Sequence, residues 1–137
     1  MRRITPDTIR PPFANYAHAV EVPPGARLVF ASGQLGIAKD EHVPEDAGAQ
    51  ADLCFSNIAA VLAAADMGPA DIVRIDAFVS DRAYLKPYME ARDRFVPSPA
   101  PASTLMIVSG FAREVFKVEI EVIAAKMDGR GEGGEAA

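Results

Sequence analysis

Val115-Phe116-Lys117-Val118-Glu119-Ile120-Glu121-Val122-Ile123-Ala124 alternates between apolar and charged residues, and an earlier run, Ser103-Thr104-Leu105-Met106-Ile107-Val108, is rich in bulky and β-branched side chains. Alternation with a period of two marks a β-strand, whose successive side chains point to opposite faces. The stretch between them, Ser109-Gly110-Phe111-Ala112-Arg113-Glu114, contains the break, so Pro99 to Lys126 reads as two strands paired in a hairpin. On the second strand Phe116, Val118, Ile120, Val122 and Ala124 make one apolar face, while Lys117, Glu119 and Glu121 point the other way. If helices cover only the first face, the second must meet water, a partner subunit or a ligand. Leu105 and Ile107, expected on that second face, do not suit water, and the face reads as an interface.

Around this pair the chain divides by its hydrophobic period. Pro6, Pro11 and Pro12 make residues 1–13 an extended lead-in. Asn15 to Val22 and Ala26 to Ser32 read as two strands pairing antiparallel across the turn Pro23-Pro24-Gly25. From Asp46 the period lengthens: Cys54, Ile58, Val61, Leu62 and Ala65 recur at helical spacing until Gly68-Pro69 ends the helix. Asp71 opens a third strand with Val73, Ile75, Ala77 and Val79 on one face and Arg74, Asp76 and Phe78 on the other. Asp81 caps a second helix running to about Phe95, with Leu85, Met89 and Arg92 on its inner side and Pro87 in its first turn. The order is β-β-α-β-α-β-β, an α+β architecture with two helices packed on one face of a mixed sheet. The expected organisation is one domain over residues 1–127 and a disordered tail over 128–137, which has no bulky apolar residue.

Composition excludes several functions. The 137 residues are 50% hydrophobic and 24% charged, the balance of an ordinary globular domain. A net charge of −5 and unclustered basic residues argue against nucleic acid as a partner. The N-terminus lacks the apolar core of a signal peptide, and no apolar run approaches the ~20 residues that span a bilayer, so a cytoplasmic protein without a membrane partner is expected. Cys54 is the sole cysteine and reads as a small buried hydrophobe. His18 and His42 lie apart, without ligand-type spacing for a metal.

The residues at the joints of this pattern resemble the RidA family, also called the YjgF family of reactive-intermediate deaminases. The matching pieces are Asn15-Tyr16, Ser32-Gly33-Gln34, Gln50-Ala51, Asn57-Ile58, Asp71-Ile72-Val73, Pro101-Ala102 and Val118-Glu119-Ile120-Glu121, spread from about Tyr16 to Ala124. The resemblance implies a chorismate-mutase-like fold and a homotrimer whose sheets surround a central barrel, with small-molecule clefts between subunits. It also implies hydrolysis of a small carboxylated enamine or imine to a 2-oxo acid and ammonium, without a cofactor. By position Glu119 matches the water-handling carboxylate, Tyr16 the cleft tyrosine, and Ser32 with Gly33 the substrate-contacting loop. Ser103 and Leu105 complete the ligand-binding set.

One position departs from the family. Its deaminases carry arginine after Pro-Ala, where the guanidinium takes the substrate carboxylate bidentately. Here Ser103 follows Pro101-Ala102 and supplies one neutral hydrogen bond in place of charge-assisted bonds worth roughly 1.5–3 kcal/mol each. The family's second-helix asparagine is also missing, with Tyr88-Met89-Glu90 in that region. The typical 2-imino acid activity therefore loses its anchor unless Arg92 or Arg94 meets the carboxylate. A hydrolase of an imine, enamine or related compound, with Glu119 positioning water, is one reading. A non-catalytic trimeric ligand-binding protein is the alternative, and ribonuclease activity is disfavoured by the acidic chain.

Overall fold

The computed structural model describes residues 1–128. Its main sheet is built around β7 (Val118–Lys126), which pairs antiparallel with β5 (Ile72–Val79) along one edge. Along the other edge lie β3 (Arg27–Phe30) and the two-residue β4 (Gln34–Leu35), both antiparallel to β7. β6 (Ala102–Ile107) closes the sheet beyond β5, parallel to it. The helices α1 (Ala47–Ala64) and α2 (Leu85–Phe95) cover one face of this mixed sheet. A separate ribbon joins β1 (Arg2–Ile4) to β2 (Ala19–Glu21), so the proline-rich lead-in contains a short strand.

Both expected hairpins are corrected. β6 and β7 are consecutive strands, but β5 lies between them in the sheet. β2 pairs with β1, and β3 pairs with β7, rather than with each other. A period of two records which face a residue occupies and carries no information on which strand lies alongside. The helix α2 between β5 and β6 is the kind of crossover that parallel neighbours need.

Parallel pairing also corrects one face. Ile75, Ala77 and Val79 stand opposite Ser103, Leu105 and Ile107, which puts Leu105 and Ile107 on the helix-covered side. Thr104 and Met106 occupy the open side with Asp76 and Phe78, and Arg74 Nη2 donates to Thr104 Oγ1 at 2.8 Å across it. A shift of register by one residue exchanges the faces of a whole strand. The open face is nonetheless mixed in the way anticipated. It carries Leu28, Phe30, Phe78 and Met106 among Arg74, Asp76, Glu119 and Glu121, and Phe30 is 70% exposed.

The helix-covered face is the core. Val118, Ile120, Val122 and Ala124 pack in it with Ile72, Ile75, Ala77 and Val79, and Phe116 is buried nearby. A bulge between Ile72 and Arg74 puts Ile72 in this cluster in place of Val73, which is expected on the face from the sequence and is buried outside the cluster. Asp46 caps α1, its Oδ2 accepting from Ala49 N at 2.9 Å, and Cys54, Phe55, Ile58 and Leu62 face inward while Val61 stays exposed. With 18 residues, α1 is long and apolar enough to cross a bilayer by length and composition only, a description that a helix packed in a domain core also meets. Its inward side is spent on the sheet. Asp81 caps a single 3₁₀ turn, Arg82–Tyr84, and α2 follows it. The inner stripe of α2 is Tyr88, Ala91 and Arg92, with Leu85 and Met89 only half-buried at its rim. Phe55 sets this rotation by stacking on Phe95 at 4.6 Å and on Tyr88 at 6.1 Å between ring centroids. Asp128, expected in a tail, pairs with Arg27 at 2.7 Å; the rest of that tail lies outside the described residues.

Two buried polar side chains make opposite predictions. Gln50 donates to Pro44 O at 2.8 Å and Val115 O at 2.9 Å and accepts Lys117 N at 2.8 Å, tying α1 to the entrance of β7. Gly36 packs so closely against it that an added Cβ would lie 2.7 Å from Gln50 Cβ. Gln50→Leu removes the partner of two carbonyls and an N–H at the part-buried edge of the core and should cost about 1–3 kcal/mol in urea unfolding. Tyr88 is buried with a hydroxyl that makes no hydrogen bond, and burial pushes its pKa well above the ordinary tyrosine value. Tyr88→Phe should therefore leave stability unchanged or raise it by up to about 1 kcal/mol.

Candidate functional site

Glu119 lies on the open face of β7 with its backbone opposite Leu35 of β4. Gly33, two residues before Leu35, then falls under the Glu119 side chain: a Cβ there would lie 2.9 Å from Glu119 Cδ and still nearer Oε2. A side chain at this position would push the Glu119 carboxylate aside. The structure thus brings Glu119, Gly33 and Ser32 together, and Gln34 Nε2 donates to Ser32 O at 3.2 Å to brace the loop.

Tyr16, Ser103 and Leu105 meet elsewhere. Ala17 N donates to Pro101 O at 2.9 Å, and Ala17 bridges to Ala102, which sets Tyr16 beside Ser103. Arg3 holds the approach to β6 by donating to Pro99 O and Ala100 O at 3.1 and 3.2 Å. A cavity of about 310 Å³ results, lined by Phe13, Ala14, Tyr16, Met89, Arg92, Ser103 and Leu105. The Tyr16 hydroxyl accepts Phe13 N–H at 3.2 Å and keeps its own proton to donate.

Within one chain these groups form two half-sites. Ser103 faces the helices and Glu119 faces away from them, and Ser103 is separated from the β4 edge by β5 and β7. Three strand spacings are about 14 Å, and the thickness of the sheet adds to that. Within a single chain the two groups of residues therefore lie apart, on opposite faces of the sheet.

The second half-site contains side chains absent from the expected ligand-binding set. Met89, from the region that lacks the family asparagine, lines the cavity, whereas its neighbour Tyr88 is turned into the core. Arg92 also lines it and is 4% exposed. Arg94 does not, being engaged bidentately on the surface by Asp52 at 2.9 and 3.0 Å. The helical spacing of Tyr88, Ala91, Arg92 and Phe95 was a signal in the sequence that these side chains share one side of α2.

Two helices on one face of a mixed sheet, with β4 and β6 placing polar groups at separate edges, define the chorismate-mutase-like fold of small cleft-forming proteins. The chain belongs to the RidA/YjgF family, whose sequence profile, described as Endoribonuclease L-PSP, matches residues 8–126. It is 35% identical to protein DfrA of Myxococcus xanthus over 80% of this chain and 83% of that one. It is 32% identical to the 2-iminobutanoate/2-iminopropanoate deaminase of Escherichia coli K12 over 72% and 80% of the respective chains. Among solved structures, the Rid-family protein YyfB of Yersinia pestis superposes with a TM-score of 0.81 at 29% identity, covering 91% of this chain and 98% of that one. RidA from an Antarctic Psychrobacter gives 0.69 at 28% identity, over 92% and 100%.

Cys54 sits beneath this region without joining it. Its Sγ lies 3.9 Å from Val118 O, and burial, reinforced by the charge of Glu119, pushes its pKa up to about 12. A rise from 9.0 to about 12 lowers the thiolate fraction near neutral pH roughly a thousandfold. Alkylation by iodoacetamide at neutral pH should be negligible in the native protein and fast in denaturant, as followed by mass spectrometry.

Proposed function

We propose that copies of this chain assemble into a homotrimer through their open sheet faces, and that each inter-subunit cleft joins the Glu119 half-site of one subunit to the Ser103 half-site of the next. The observation that carries this reading is the separation of the two halves, which only a second copy can complete. The mixed open face supports it, since it leaves the large apolar side chains Leu28 and Phe30 exposed at one edge and Met106 at the other.

The chemistry we assign is hydrolysis of a small imine or enamine. A protonated imine is already electrophilic at carbon, so the protein needs to hold it and deliver water. Glu119 accepts a proton as water oxygen bonds to the imine carbon, giving a carbinolamine. The same carboxylate returns that proton to nitrogen; as the C–N bond breaks and ammonia leaves, it takes the hydroxyl proton and passes it to the ammonia, leaving a carbonyl and ammonium. Tyr16 and Ser103 supply hydroxyls that orient the substrate. Because Ser103 stands where the family deaminases carry arginine, three- and four-carbon 2-imino acids are expected to be poor substrates. That replacement equally favours a second reading, a trimer that binds a small molecule in these clefts without turnover. A ribonuclease finds no support in a chain of net charge −5.

Static light scattering should return a trimer mass at micromolar concentration, and Phe30→Glu should dissociate it with the fold intact by circular dichroism. Carbonyl release from imines generated by an amino-acid oxidase should fall at least ~100-fold in Glu119→Gln, the usual scale for removing a general base. A stable wild-type monomer would sink the shared cleft. A trimer whose turnover ignores Glu119→Gln would sink the assigned role, and a trimer that binds ligands but turns over none would favour the binding protein.

A further inference from the structure

Arg92 is an unusual residue to find inside a small cavity. The guanidinium is buried, yet its recorded hydrogen bonds go from Nε and Nη2 to a single oxygen, Asp93 Oδ1, at 3.3 and 3.2 Å. Asp93 is itself half exposed to solvent. Guanidinium has five N–H donors in a planar fork, and Nη1 donates to no described protein atom. A buried charge so thinly paired is costly, and an anion entering beside it offsets that cost. Ser103 Oγ likewise has no hydrogen-bond partner among the described residues, and the Tyr16 hydroxyl has a proton to give.

We infer that Arg92 is the anion anchor of this cavity, and that the ligand is a small monocarboxylate whose apolar body rests on Met89 and Leu105. The inference rests on the cleft reading above only for what happens after binding, because every residue invoked here comes from one chain. Two or more free N–H groups of the fork can meet a carboxylate with charge-assisted bonds, while Ser103 or Tyr16 donates to a second polar atom. Half-buried Met89 and Leu105 select an apolar substituent over a second charge. About 310 Å³ is at the small end of ligand pockets, which limits the occupant to a compact acid. The charge projects from helix α2 instead of strand β6. The acid is consequently gripped from a different side than an arginine at position 103 would grip it.

The test compares isovalerate with isovaleramide, which have the same branched tail and differ in charge, by calorimetric or NMR titration. Wild-type protein should prefer the acid by roughly 10–100-fold, the scale of one to two charge-assisted hydrogen bonds. Arg92→Met should abolish the preference while keeping affinity for the amide, which simple collapse of the cavity would not do. Arg92→Lys, a second variant should the first fail to fold, should retain only part of the preference, since ammonium lacks the planar fork. Arg94→Met, at the surface arginine paired with Asp52, should leave it untouched. Equal or absent wild-type binding of acid and amide at millimolar concentration, or an acid preference that survives Arg92→Met, would overturn the assignment. Because this readout is binding and not turnover, failure of the hydrolase reading through Glu119 would show separately.

Discussion

The ladder along both edges of β7 is the constraint from which the rest of the structure follows. β5 runs beside Val118 to Ala124 on one edge, while β4 and β3 divide the other. Its inward side chains are clamped between sheet and helices, so a slip of one residue would drive Glu119 and Glu121 into the core and expose Ile120 and Val122. The same register sets Leu35 against Glu119 and thereby brings Gly33 under the carboxylate. Gln50 fixes where the strand begins by holding Val115 O and Lys117 N from α1. Placement of the acidic group is therefore a by-product of forces that fold the domain.

What could be read from the sequence was faces, and what could not was neighbours. Alternation in β7 and in β5 from Ile75 onward correctly divided buried from open residues because that pattern is imposed by the core, while the bulge between Ile72 and Arg74 broke it at Val73. The partner of β6 was misread because sequence proximity favours a hairpin, while the α2 crossover puts β6 parallel to β5. That error displaced Leu105 and Ile107 to the wrong face and hid the exposed Met106. In α2 the stripe of Tyr88, Ala91, Arg92 and Phe95 was visible but undervalued, since a charged arginine and a small alanine carry little hydrophobic weight. Of the candidate ligand-binding residues, Tyr16, Ser103 and Leu105 do share a cavity and Ser32 and Gly33 do lie at Glu119, yet nothing local in the chain announces that these are two places.

That division links the shape of the domain to its chemistry. A single open-faced sheet has two sides, and this one uses the helix side for the Tyr16 and Ser103 cavity and the open side for Glu119. Exposed Leu28, Phe30 and Met106 make the open side poor as a permanent water interface. Burying it against copies and completing the cleft are, in the proposed assembly, a single event, so oligomer stability and site integrity are coupled. The exposed charges around Asp76 and Glu121, which stand directly opposite each other, must find cations in that assembly; Arg74 already reaches Asp76 at 2.9 Å.

Ser103 acquires its meaning from Arg92. Considered alone, serine after Pro101-Ala102 removes a charge from the cleft and leaves a site with nothing to hold an acid. With the structure in view, a guanidinium lines the same cavity from α2, 4% exposed and mostly unsatisfied. An arginine at position 103 would place a second cation beside Arg92 in a space of about 310 Å³, and like charges so close repel. A serine at position 103 leaves Arg92 without a like charge beside it in this cavity. The family position lost its charge without the cavity losing its own. In the proposed cleft a carboxylate held by Arg92 would be gripped from α2 and not from β6, which would change the shape of acid able to bring a reacting carbon to water at Glu119.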